Sequence, residues 1–149
     1  MTDLARAQLA LRITILVTVL LLVVQYVLGL WTSAYAPSSF TSNTSLPSLE
    51  GHLAVGYALG VVSLLALVFA GLTREVRVIV PAFALLLAVG LAGVFGMMFV
   101  RTTPNDPLDS VGMGIMFLVA LGAAFNMAYY LRSRPASAPT PPPVATPSG

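Results

Sequence analysis

Four stretches of this chain, each more than twenty residues long, contain no carboxylate. They run from about Leu11 to Thr32, His52 to Leu72, Val76 to Val100 and Val111 to Leu131. A helix rising 1.5 Å per residue needs about 20 apolar residues to cross the hydrocarbon core of a bilayer. Each run is long enough, and that constraint leaves little choice of architecture. The expectation is an all-α integral membrane protein, a four-transmembrane-helix antiparallel bundle.

Composition agrees. Of 149 residues, 58% are hydrophobic and only 8% charged, where a soluble domain carries about 25% charged residues. With a mean hydropathy of +0.94, the chain cannot cover itself with polar surface, so its solvent is lipid. Cysteine is absent, which excludes disulfides and thiolate metal sites. A net charge of +2 and a pI near 9.4 could suggest nucleic acid. The seven basic residues, however, are arginines at segment ends rather than a patch, so they read as topology signals and no nucleic-acid partner is expected.

Arg6 and Arg12 precede or open the first run, Arg74 and Arg77 lie at the second connection, and Arg132 and Arg134 follow the fourth. Only Arg101 falls on the other side. This bias predicts both termini in the cytoplasm of a multi-pass cell-membrane protein. Ala34-Tyr35-Ala36 resembles a signal-cleavage site, but the preceding apolar run exceeds the 7 to 15 residues of a signal core, and Pro37 follows it. The run is therefore read as a membrane helix.

Residues 1–10 are expected as a cytoplasmic N-terminus, 11–132 as the membrane domain and 133–149 as a disordered Pro-rich cytoplasmic tail. The Ser- and Thr-rich loop from Ser33 to Gly51 faces outward in this scheme and carries a sequon at Asn43-Thr44-Ser45. The short turn "GLTREVR" makes the second and third spans antiparallel neighbours.

Helical phase at 100° per residue separates inner from lipid-facing positions. Thr14, Thr18, Gln25, Gly29 and Thr32 share one stripe of the first span. Interhelical hydrogen bonding and ligand contact are both open to such a stripe. In the second span His52, Gly56, Gly60, Ser63 and Ala70 share a face. The spacing of Gly56 and Gly60 admits a close helix or a flat cofactor. The third span aligns Phe83, Gly90, Met97 and Arg101, with Gly93 and Gly96 beside them, and the fourth aligns Met113, Met116, Ala120, Ala124 and Met127.

The predicted topology gathers His52, Met97, Met98, Arg101, Met113 and Met116 near the outward face. Imidazole and thioether are haem axial ligands and also suit Cu(I). An arginine fork suits a haem propionate. Each residue also has a plainer role: methionine as adaptable packing, Arg101 as an interfacial anchor, His52 as a helix-end group. Glu50 reads as a solvated loop acid, and Tyr26, Trp31, Tyr35, Tyr129 and Tyr130 as interfacial aromatics.

"QYVLGLWTS" closing one span, a polar outer loop and "EGHLAVGYALGVVSLLAL" opening the next together resemble a four-helix half-module of the haem A synthase family. The resemblance covers roughly residues 11 to 131 and aligns Gln25, Leu28 and Gly29 with the end of a half's first helix. It places His52 at the histidine opening the second helix, and implies a haem ligand there. Where a family half offers a second histidine, "DSVGMGIMF" has Met113 and Met116, and the loop cysteines are missing. The resemblance therefore implies a haem-binding relative rather than a stand-alone synthase.

The expected site comprises His52 as metal ligand with Met97, Met113, Met116, Arg101, Gln25 and Gly56 around a haem. The expected function is a cytochrome-like subunit or oxidase-assembly protein. Two alternatives stand beside it: a cofactor-free structural subunit of a membrane complex, and a Cu(I)-handling protein. Other membrane proteins or a second copy of the chain are the expected partners.

Overall fold

The computed structural model describes residues 3–35, 47–101 and 107–133, without the side chains of residues 3, 33–35, 47, 48, 100, 101 and 107. The Ser- and Thr-rich loop with its sequon, the loop around Pro104, the Pro-rich tail and the Arg101 side chain lie outside what is described. Four helices account for nearly all the rest: α1 (Asp3–Tyr35), α2 (Pro47–Thr73), α3 (Val76–Arg101) and α4 (Pro107–Arg132). All four are long and apolar enough to cross a membrane.

The helices extend past the apolar runs. α1 starts at Asp3, because the leading segment is built from Leu, Ala, Arg and Gln, all good helix formers. α2 and α4 each start on a proline, whose missing N–H costs nothing in the first turn. Glu50 and Asp109 lie in the first turns of α2 and α4, where the helix dipole favours negative charge.

Only two residues link α2 to α3. Arg74 adopts φ 57, the left-handed conformation that commonly ends a helix, although glycine is the usual occupant. Its N–H donates to Gly71 O at 3.0 Å. The Thr73 hydroxyl donates to Ala70 O at 2.7 Å and accepts from Glu75 N at 3.4 Å. Glu75 O in turn accepts from Val78 and Ile79 at 2.9 and 3.0 Å, so the end of one helix is bonded directly to the start of the next.

The helices form a four-helix bundle in which α1 packs on α2, α2 on α3, α3 on α4 and α4 on α1. Contacts fix their senses. Arg12 Nη2 donates to Leu131 O at 2.8 Å, and Tyr26 stacks on Phe117 with centroids 5.3 Å apart, so α1 and α4 run antiparallel. Gln25 with His52 and Leu28 with Gly51 do the same for α1 and α2, and the two-residue link returns α3 alongside α2, so α3 and α4 are antiparallel as well. The described chain therefore starts and finishes at one end of the bundle. Arg12 ties them there by satisfying a carbonyl of α4's last turn.

The packed core lies towards that end. Leu11, Ile15, Ala66, Ala70, Val78, Ala82, Leu85, Met127 and Leu131 are all buried. Alanines recur because a small side chain lets helix backbones approach where lipid supplies no hydrophobic drive for association. Ala120, Ala124 and Met127 point inward, as the phase of α4 predicts. α3 differs: its core face is Val78, Ala82, Leu85 and Ala88, while Phe83 is 57% exposed. Thr14 and Thr18 are buried as expected, but they bond within their own helix, to Ala10 O and Thr14 O at 2.8 Å each.

No more than 22% of any helix's apolar window is buried by the protein itself. Leu16, Val76 and Leu118 are among the many large apolar side chains turned outward. Lipid must cover them, as the sequence requires.

Candidate ligand cavity

Towards the other end the bundle opens around a cavity of about 920 Å³. All four helices line it. Gln25, Gly29 and Thr32 come from α1, His52 and Gly56 from α2, Gly90, Gly93 and Met97 from α3, and Met113 and Met116 from α4. Six of the residues singled out in the sequence, Gln25, His52, Gly56, Met97, Met113 and Met116, thus share one space.

His52 is held against α1. Its Nε2 is 3.0 Å from Gln25 Nε2. Amide nitrogen only donates, so in this arrangement Nε2 accepts and Nδ1 carries the ring proton. With the amide turned over, Oε1 would accept from Nε2–H instead. A Cβ on Gly29 would stand 3.2 Å from His52 Cε1 and 3.6 Å from Nδ1, so the ring edge occupies space that only a glycine leaves. A Cβ added at Gly56 would lie 3.5 Å from Gln25 Nε2, an ordinary van der Waals contact.

That wall is not fully satisfied. Among the described residues Gln25 Oε1, His52 Nδ1 and Thr32 Oγ1 are buried without a hydrogen-bond partner. A buried polar group left unpaired costs about 1–3 kcal/mol, and groups of this kind call for a water, an ion or a ligand. All three residues line the cavity. Thr32 is only 9% exposed and makes no bond to its own helix, unlike Thr14 and Thr18.

The opposite wall is apolar and roomy. Among the described residues nothing lies within 4 Å of a Cβ added at Gly90 or Gly93, so these glycines do not serve close helix contact. The α3–α4 seam beside them is tight: an added Cβ would stand 3.5 Å from Met113 Sδ at Gly96 and 2.9 Å from the Phe95 ring at Gly112. Glu50 is exposed, and among the described residues no three His, Cys, Asp or Glu side chains form a metal-binding group. Any metal here would have to use the imidazole, the thioethers or a macrocycle of its own.

Tyr26, Tyr57 and Thr32 also border the cavity. Tyr26, half exposed, stacks on Phe117 across the α1–α4 side of the cavity. Fold and site together define a polytopic helical membrane protein with a ligand-sized cavity between two helical hairpins. No family model, curated protein or solved structure matches the chain.

Proposed function

We propose that this is a membrane haem-binding protein, a cytochrome-like subunit or oxidase-assembly protein. Both termini lie in the cytoplasm and the cavity near the outward face. The reading is carried by one observation: an apolar cavity of about 920 Å³ with three unpartnered buried polar atoms on one wall, an imidazole nitrogen among them. Ligand pockets of about 300–1,000 Å³ are typically apolar with a few placed polar groups. The arginine bias of the sequence supports the orientation.

The donor set suits haem. A haem supplies one-electron chemistry whose potential follows its axial ligands and their hydrogen bonds. His52 is the axial imidazole in this proposal, with Met97, Met113 and Met116 offering thioethers from α3 and α4. The ring has to turn off Gly29 for a nitrogen to face the cavity, and Gln25 is placed to keep hold of the other nitrogen. Gly90 and Gly93 leave the far wall flat.

Absorption spectra of the full chain purified from haem-replete membranes test this. A Soret band that His52→Ala abolishes, and that Met97→Leu or Met113→Leu shifts, is the expected result. Colourless wild-type protein overturns the proposal.

A second reading has its own support. The Gln25–His52 bond at 3.0 Å, seated against Gly29, already uses the imidazole as a fastener between α1 and α2. A cofactor-free structural subunit of a membrane complex, engaging other membrane proteins or a second copy, needs nothing more. Colourless protein that co-purifies with other subunits, and loses them on His52→Ala, favours this reading. Copper bound stoichiometrically, by elemental analysis, would instead favour Cu(I) handling.

A further inference from the structure

One amide on the outside of the bundle is out of place. The apolar span of α4 runs Leu108–Arg132, which centres it on residue 120. Asn126 is therefore about 9 Å from the midplane at 1.5 Å per residue, inside a hydrocarbon half-thickness of about 15 Å. Lipid esters and water lie beyond that boundary, out of reach of so short a side chain. The other helices turn such groups inward: Thr14, Thr18, Thr32 and Ser63 are buried and Gln25 is half-buried. Asn126 is exposed and makes no hydrogen bond within the described residues. An amide left in hydrocarbon without a partner is costly. The group that pairs with it has to belong to another protein segment at the same depth.

A second copy of the chain supplies that group. Two copies inserted in the same sense are related by a two-fold axis along the membrane normal, which sets Asn126 of one at the depth of the partner's Asn126. A carboxamide holds both a donor and an acceptor, so two of them satisfy each other reciprocally.

The surrounding face fits a helix. Ile115, Val119, Gly122, Asn126 and Tyr129 follow one another at alternating spacings of four and three residues, and all are exposed. That is the seam of a two-helix coil, in which one polar inner position fixes register. Gly122 lies one turn from Asn126, and nothing described stands within 4 Å of a Cβ added there, so a second backbone can come close. Beside it a hollow of about 710 Å³ runs between α4 and Ala84 of α3, and it shares no lining residue with the cavity proposed for haem. α4 also has the lowest mean hydropathy of the four spans, 1.9 against 2.4–2.6, and the smallest buried share, 17% against 22%. The helix least suited to lipid is the one the bundle covers least.

We infer that the outer face of α4 around Gly122 and Asn126 joins two copies of this chain, with their Asn126 amides hydrogen-bonded across the seam. In the test, full chains carrying donor or acceptor fluorophores are mixed in phosphatidylcholine vesicles over a range of protein-to-lipid ratios. Energy transfer then gives a dissociation constant as a mole fraction. Asn126→Leu should raise it about ten-fold, and Gly122→Leu at least as much. The chain has no cysteine, so Val119→Cys places a single thiol on the seam. Mild oxidation should link it into dimers, while Leu20→Cys, exposed on α1, should give few. All four positions face outward, so each variant should keep the wild-type thermal midpoint in micelles. Wild-type energy transfer no greater than random proximity overturns the inference. So does an unchanged constant for Asn126→Leu, or equal cross-linking of the two thiol variants. Monomeric wild type that co-purifies with another membrane protein, and loses it on Asn126→Leu, overturns it in favour of that protein.

Discussion

The two ends of this bundle use small residues for opposite purposes. Near Arg12 and Leu131 the small residues are alanines, and Ala66, Ala70, Ala82 and Ala124 are all buried against neighbouring helices. Around the cavity they are glycines, and among the described residues Gly90, Gly93 and Gly114 have nothing within 4 Å of a missing Cβ. At the first end the absence of a side chain brings backbones together. At the second it leaves volume. A glycine-rich helix face in a membrane is thus not by itself evidence of helix packing; the neighbour has to be found.

The sharpest way to break this comparison is to add bulk at both ends. Ala70→Leu should destabilise by about 1–3 kcal/mol or more, as overpacking does in a closed core. Gly93→Leu should leave the thermal midpoint in detergent close to wild type while reducing ligand loading. Equal damage from both would show that the space beside Gly93 is packed. Next comes Gly112→Ala, where the new Cβ meets Phe95 at 2.9 Å. A loss of about 1–2 kcal/mol is expected, with recovery in the Phe95→Leu double variant. Such recovery would place a tight α3–α4 seam beside the open cavity.

Gln25→Leu should cost about 1–2 kcal/mol, because it leaves the Nε2 of His52 unpaired as well. Thr18→Val should cost less, since the Thr18 hydroxyl bonds only to its own helix; chemical denaturation of the two variants side by side gives the ranking. If Thr18 proved the more damaging, the polar contacts of the closed end would outweigh those of the open one. The smallest effect expected is from Arg12→Gln. Its guanidinium is exposed, so losing the bond to Leu131 O should cost about 0.5–1 kcal/mol, read as a small drop in Tm.

The spans, their alternating sense and the inward phase of α1 and α4 were legible because lipid imposes length and periodicity on sequence directly. That Gln25, His52, Gly56, Met97, Met113 and Met116 border one space was legible for the same reason: helical phase and end-to-end position suffice to group them. The partner of His52 was not. Gln25 lies 27 residues away, and pairing the two depends on the relative height of α1 and α2, which phase does not set. α1's early start was hidden because Arg6 and Arg12 interrupt hydropathy without interrupting helix propensity. Phe83 misled because α3 turns one face to the core near Ala82 and a different one to the cavity near Gly90. The hydroxyls of Thr14 and Thr32 look alike in sequence, yet one finds a carbonyl in its own helix and the other finds nothing.

The cavity's rim has a consequence for how a ligand reaches it. Tyr26, Tyr57, Leu30, Val94 and Leu118 border the space and are also more than half exposed on the bundle's outer surface. Among the described residues the space is therefore open sideways, between helices. A molecule arriving that way travels in two dimensions, already concentrated by partitioning, and its occupancy is set by its mole fraction among lipids rather than its molarity in water. Titrations that count ligand per litre would then report an affinity that drifts with the amount of detergent or lipid present. Counted per lipid, the same titrations should fall on a single curve.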